Sequence, residues 1–119
     1  MAPRKLACSP MRKVLFVCTA NLQRSPTAEN VFQGWRGTWE AKSAGIMPDP
    51  GRNPLTQVLI DWADVIVVME PVHRQYIRAN FHCDSDKVQV LGVPDIYFRN
   101  DPELIRELLK KVPPILENY

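Results

Sequence analysis

Lys13 to Glu29 read KVLFVCTANLQRSPTAE, and the order of residue types in this stretch decides how the rest of the chain is read. From Lys13 to Cys18 the chain is a short apolar run rich in Val and Phe. A run so brief, without polar alternates behind its lysine, is a β-strand covered on both faces, not a buried helix. Ser25 and Pro26, with Glu29 behind them, open a helix. Proline suits the first helical position, where its missing N–H would have no partner anyway, and an acid favours the first turn. A cysteine therefore closes a buried strand, and Arg24 stands where the next helix begins.

Working outward, that helix carries Ala28, Val31, Phe32 and Trp35 on one face and stops near Gly34 to Gly37. Thr38 to Ala44 alternates Trp39 and Ala41 with polar neighbours, an edge-like strand ended by Gly45. Ile46 to Asn53 holds prolines and a glycine and is a loop. Asn53 is expected to cap a helix starting at Pro54, with Leu55, Val58, Leu59 and Trp62 at the 3.6-residue period. Asp64 to Glu70 is a second buried strand, and Pro71 to Phe81 an amphipathic helix with Val72, Tyr76, Ile77 and Phe81 inward. Lys87 to Val93 is a fourth strand, followed by a loop from Pro94 to Asn100. Asp101 caps and Pro102 opens a last helix whose stripe is Leu104, Ile105, Leu108 and Leu109; Pro113 and Pro114 are expected to end it.

Strands alternating with helices imply right-handed crossovers and a parallel sheet. The expected fold is α/β: a single three-layer, Rossmann-like domain with a four-stranded parallel sheet, order 2-1-3-4, and helices on both faces. In such sheets ligands bind beyond the carboxyl ends of the strands, and Cys18 lies at one of those ends. With 119 residues there is room for one core. Residues 1–11 read as a flexible extension ahead of a domain spanning 12–119.

A net charge of +2, with both signs mixed along the chain, gives no reason to expect nucleic acid as a stable partner. No apolar run approaches the roughly 18 residues of a membrane span, and no secretory signal pattern precedes the first strand. Three cysteines, Cys8, Cys18 and Cys83, have no metal-ligand spacing and cannot all pair with one another. The expectation is a cytoplasmic monomer without membrane association.

A loop between a strand end and a helix start directs backbone N–H groups at one point, and the helix adds partial positive charge, which suits a tetrahedral oxyanion. Arg24 adds a planar, permanently charged fork. The same field favours the thiolate of Cys18, placed beneath a bound phosphate for in-line attack. The spacing from Cys18 to Arg24, through Thr19, Ala20, Asn21, Leu22 and Gln23, wraps one anion and returns the arginine to face the cysteine. A proton donor for the leaving oxygen is offered by Asp95 in GVPDIYF, on the same rim of a parallel sheet. Tyr97 and Phe98 beside it are expected to flank an aromatic leaving group and, by half covering the carboxyl, to favour its protonated form.

CTANLQRSPTAE, SAG at Ser43 to Gly45, VVME at Val67 to Glu70 and VPDIY at Val93 to Tyr97 occur in this order. Over residues 13 to 110 the chain resembles the low-molecular-weight protein tyrosine phosphatases, in particular a short subgroup. The resemblance implies a cysteine-dependent phosphomonoester hydrolase acting on phosphotyrosine in proteins. Cys18 would form a phosphocysteine, Arg24 would bind the phosphoryl oxygens, and Asp95 would be general acid and then base. It also implies that Ser25 donates to the thiolate, that Asn21 holds the loop through neighbours including Ser25 and Ser43, and that no metal or organic cofactor takes part. Substrate-lining side chains are expected at Thr19, Leu22, Met47, Tyr97 and Phe98; the substrate itself is a phosphorylated protein or a small phosphomonoester.

Within the phosphate loop, two letters depart from the family pattern. Ala20 stands where many members have glycine, and a positive φ there would strain it by about 1–2 kcal/mol. Gln23 replaces a second cysteine that guards the nucleophile by disulfide formation. The other readings of the same loop are a thioredoxin-coupled arsenate reductase, a phosphatase for nucleotides, sugars or RNA ends, and a phosphate-binding module without turnover. His73 and His82 have no partner in the sequence and are expected at the surface. Trp35, Trp39 and Trp62 fit core or half-buried positions.

Overall fold

A computed structural model describes residues 11–119. Cys8 and the expected extension, apart from Met11, lie outside these residues. In chain order the elements are β1 (Arg12–Cys18), α1 (Arg24–Phe32), a 3-10 turn (Trp35–Gly37), β2 (Trp39–Gly45), α2 (Gln57–Trp62) and β3 (Val65–Val68). There follow α3 (Pro71–Asn80), a second 3-10 turn (Ser85–Lys87), β4 (Val88–Val90) and α4 (Pro102–Leu116). The sheet is parallel throughout, in the order β2-β1-β3-β4.

β1 is central because Val14 to Cys18 are buried on both faces. Its pleat sends Val14, Phe16 and Cys18 to one side, against Ala28 and Phe32 of α1 and Leu104, Leu108, Val112 and Leu116 of α4. Leu15 and Val17 point to the other, against Ile60 of α2 and Ile77 of α3. Each such large side chain contributes about 1.5–3 kcal/mol by leaving water. The chain leaves β1 toward β2, then crosses back to β3 on the opposite side. With right-handed connections this reversal puts α1 on one face and α2 on the other, and the carboxyl end of β1 becomes the switch point where a ligand crevice opens.

Several boundaries differ from expectation for identifiable reasons. Asn53 does not cap α2: its backbone N–H and side chain are engaged by Asn21 and Ser43, and Pro54 forms an isolated bridge with Gly45. The cap is Thr56, whose hydroxyl accepts from Leu59 N–H at 3.2 Å. The later start makes Ile60 the buried residue and leaves Val58 exposed. In α3 the fully buried residues are His73 and Ile77; Tyr76 and, just beyond the helix, Phe81 pack partly buried against the same core as expected, while Val72 faces out. α4 runs through Pro113 and Pro114 because its stripe continues at the i, i+4 interval through Val112 and Leu116, both buried. Among the described residues no helix is long and apolar enough to cross a membrane.

Candidate active site

The loop joining β1 to α1 is held from beneath by a chain of hydrogen bonds whose direction can be deduced. Glu29 is a carboxylate, so Ser43 Oγ donates to its Oε1, at 2.5 Å. Ser43 therefore accepts from Asn21 Nδ2, at 3.0 Å. The amide of Asn21 is oriented by Asn53 N–H, which donates to Oδ1 at 2.9 Å. Its second Nδ2 hydrogen goes to Ser25 Oγ at 3.0 Å, which leaves the Ser25 hydroxyl free to donate either to Cys18 Sγ, also 3.0 Å away, or to Ala44 O at 3.4 Å. Cys18, Asn21, Ser25 and Ser43 are all buried. A polar chain in this setting is favourable only when every member is satisfied, and here each is.

Asn21, not Ala20, adopts the left-handed backbone, with φ of 54°. The strain expected at Ala20 does not arise. Asparagine is enriched in this region of φ/ψ space, and the three side-chain bonds just described fix it there. The backbone carbonyls of Cys18, Thr19 and Ala20 accept from the N–H groups of Ile46, Met47 and Asp49, at 3.1, 2.8 and 3.1 Å. Asn21 O accepts from Arg52 Nε at 2.7 Å. Because C=O and N–H point oppositely in a trans peptide, the N–H groups of the same peptides turn away from that segment. Gly45 makes the approach possible: a Cβ there would lie 2.7 Å from both Asn21 N and Thr19 O.

On the open side, Cys18, Ala20, Leu22, Gln23, Arg24 and Asp95 line a cavity of about 200 Å³. Arg24 is buried. Its Nη1 donates to Glu70 Oε1 at 2.7 Å and to Val93 O at 2.8 Å, and its Nε stands 3.7 Å from Asp95 Oδ1. The side chain of Asp95 is 63% exposed, so it is more open than the aromatic cover expected from DIYF. Phe98 is 76% exposed, Met47 is exposed, and Tyr97 packs partly buried against the core beneath α1 and α4. The hydroxyl of Thr19 is engaged by His73.

His73 departs most from expectation: it is fully buried. Its Nδ1 accepts from Glu70 N–H at 3.0 Å, which assigns its proton to Nε2, 2.9 Å from Thr19 Oγ1. Burial, helped by the positive charge of Arg24, lowers its pKa from 6.5 to about 4, so the ring is neutral near pH 7. The signal lay in the helix start: Glu70 is the N-cap of α3 and His73 its N3 residue, and the two form a reciprocal capping box. Glu29, Arg52, Asn53 and Glu70 were also unassigned from sequence. His82 is exposed as expected. Cys18 and Cys83 are free thiols, and burial pushes that of Cys83 up.

The same arrangement of loop and helix has known relatives. Residues 13–60, from β1 into α2, match the family model described as low molecular weight phosphotyrosine protein phosphatase. A protein-arginine-phosphatase of Bacillus subtilis (strain 168) is 29% identical, covering 83% of this chain and 93% of that one. The chain is thus similar to the low-molecular-weight phosphatases. That these relatives are named phosphatases supports a phosphoester hydrolase. Among solved structures, an arginine phosphatase, YwlE, in a mutant form with a phosphorylated active-site serine, is 27% identical. It covers 87% of this chain and 99% of its own, with a TM-score of 0.67. The solution structure of a low molecular weight protein tyrosine phosphatase from Bacillus subtilis is 26% identical, covering 82% and 95%, with a TM-score of 0.64.

Proposed function

We propose that this phosphatase hydrolyses phosphotyrosine in proteins through a phosphocysteine on Cys18. The observation that carries the reading is one cavity lined by Cys18, Arg24 and Asp95, with Ser25 Oγ 3.0 Å from the Cys18 sulfur. Cys18 Sγ forms a bond to phosphorus as the bond to the leaving oxygen breaks, and Asp95 gives its proton to that oxygen. Arg24 and the loop N–H groups hold the equatorial oxygens. Asp95, now a carboxylate, takes a proton from the water that attacks phosphocysteine, and sulfur departs as a thiolate stabilised by Ser25. Leu22 and Ala20 supply apolar contact for an aromatic ring at the mouth.

A second reading, phosphoarginine, is favoured by the arginine phosphatase among the relatives. The arsenate reductase reading is weaker, because its relay needs two further thiols close together and only Cys83 joins Cys18 among the described residues. We read the protein as a cytoplasmic monomer acting on phosphorylated protein, a setting that keeps Cys18 reduced.

The test is phosphate release from matched phosphotyrosine, phosphoarginine and phosphoserine peptides, a nucleotide and an aryl phosphate, each with wild type and Cys18→Ser. Phosphotyrosine and aryl phosphate are expected to turn over fastest, and Cys18→Ser to abolish release. Undiminished turnover by Cys18→Ser would end the mechanism. Faster release from the phosphoarginine peptide would replace the substrate.

A further inference from the structure

The phosphate loop is gripped at both ends by the first turn of α3. At its start, His73 Nε2–H donates to Thr19 Oγ1 at 2.9 Å. At its end, Glu70 Oε1 accepts from Arg24 Nη1 at 2.7 Å. These two residues are tied to each other, since Glu70 N–H donates to His73 Nδ1 at 3.0 Å and His73 N–H donates to the Glu70 carbonyl oxygen at 3.1 Å. A helix start that needed only a cap would have no use for the far side of the imidazole. Here the ring is fully buried, and its second nitrogen reaches across 54 positions of sequence to the residue after the nucleophile.

We propose that His73 is a positioning residue for phosphate binding and turnover: together with Glu70 it fixes the distance between the Thr19 and Arg24 ends of the loop, so the anion cradle is formed before substrate arrives. Neither residue touches the reacting atoms in this scheme. His73 acts through Thr19, and Glu70 through the guanidinium of Arg24. The ring suits the task because its two nitrogens have opposite roles, acceptor for Glu70 and donor for Thr19, and only the neutral Nε2–H tautomer satisfies both. A proton on Nδ1 would break the link to Glu70.

The kinetic arm of this inference rests on the phosphatase reading, whereas its binding arm needs only the anion site. The test compares the dissociation constant for inorganic phosphate, measured by calorimetry, with kcat on an aryl phosphate. The variants are His73→Asn, His73→Gln, Thr19→Val, Thr19→Ser and the double variant His73→Asn with Thr19→Val, with folding checked by circular dichroism. His73→Asn keeps an acceptor near Glu70 N–H but does not reach Thr19; His73→Gln extends an amide N–H toward it.

Loss of one buried hydrogen bond is expected to weaken phosphate binding by about fivefold or more, and kcat by about tenfold, in Thr19→Val and His73→Asn. Thr19→Ser should stay near wild type, and His73→Gln should recover part of the loss. The double variant should be no worse than the poorer single one, because both remove the same bond. Wild-type phosphate affinity in Thr19→Val, or losses that multiply in the double variant, would overturn the proposal. If His73→Asn does not fold, the contrast of Thr19→Val with Thr19→Ser decides alone. A wild-type protein that binds phosphate but releases none from any substrate would remove the phosphatase reading, and the binding arm would then decide the inference.

Discussion

The floor and the rim of the site are built in opposite ways. Beneath the cavity, Asn21, Ser25 and Ser43 are buried and hydrogen-bonded to one another, and the loop backbone from Thr19 to Asn21 is pressed against Gly45 with no room to spare. On its open side, Asp95 is mostly exposed and makes only a 3.7 Å contact with Arg24, and its chain neighbours Ile96 and Phe98 stand in solvent. The floor is held to a single shape by many mutual restraints, and the rim is held by few. Chemistry on a tetrahedral phosphoryl group needs fixed geometry. Recognition of what that group is attached to tolerates, and benefits from, side chains that can adjust. Under the proposed function, the floor would position the phosphoryl group, while the rim would supply Asp95 as proton donor and the contacts that choose among phosphorylated partners.

Mutations at the two regions should leave different kinetic signatures. Asp95→Asn is expected to cost on the order of 10² or more in kcat for a phosphotyrosine peptide. The deficit should shrink for aryl phosphates whose leaving groups need no proton. A uniform deficit across leaving groups would mean that Asp95 does not act as the acid. Gly45→Ala, on the floor, should cost up to about 10², because a displacement of the loop of even 1 Å disturbs the reacting geometry. That loss should be equal for all substrates and accompanied by weaker inorganic phosphate binding. Retention of wild-type phosphate affinity would show that the loop can move without consequence.

A subtler effect of the floor appears as acid sensitivity. Folded His73 takes up its proton near pH 4, against 6.5 for the ordinary group. Between these values the unfolded chain binds more protons than the folded one. Its contribution to stability is thus fully present above about pH 6.5 and is lost as pH falls toward about 4. Urea midpoints at pH 7.5 and 5 should fall further apart for wild type than for His73→Asn; equal differences would count against the buried neutral ring. The smallest effect is expected at the rim: Phe98→Ala should change kcat/KM by about threefold, since an exposed ring has little to lose. That change should appear with peptides and vanish with inorganic phosphate as ligand.

The legibility of the sequence follows the same division. The central strands were readable because a both-faces-buried strand leaves a continuous apolar run, and Cys18 to Ser25 because their spacing is local. Glu70 and His73 were not readable as site residues, since their partners Arg24 and Thr19 lie 46 and 54 positions away. Asn53 was misread as a helix cap because an asparagine before a proline is a good cap, until a distant Asn21 claims it. The two prolines of α4 illustrate the converse: a strong local stop signal was outweighed by burial of Val112 and Leu116. Ala20 drew attention as an irregular letter, yet the unusual backbone belonged to its neighbour Asn21.

Gly45 carries a lesson for reading other chains. It adds nothing to an apolar pattern and ends an edge strand, where almost any residue would serve the sheet. What forbids a side chain there is the backbone of a loop belonging to a different strand. The missing methyl is the loop's imprint on its neighbour, a record in one segment of the shape of another. A sequence with the cysteine and arginine correctly spaced, but with a bulkier residue at the corresponding strand end, should be expected to hold those two residues on a differently shaped backbone.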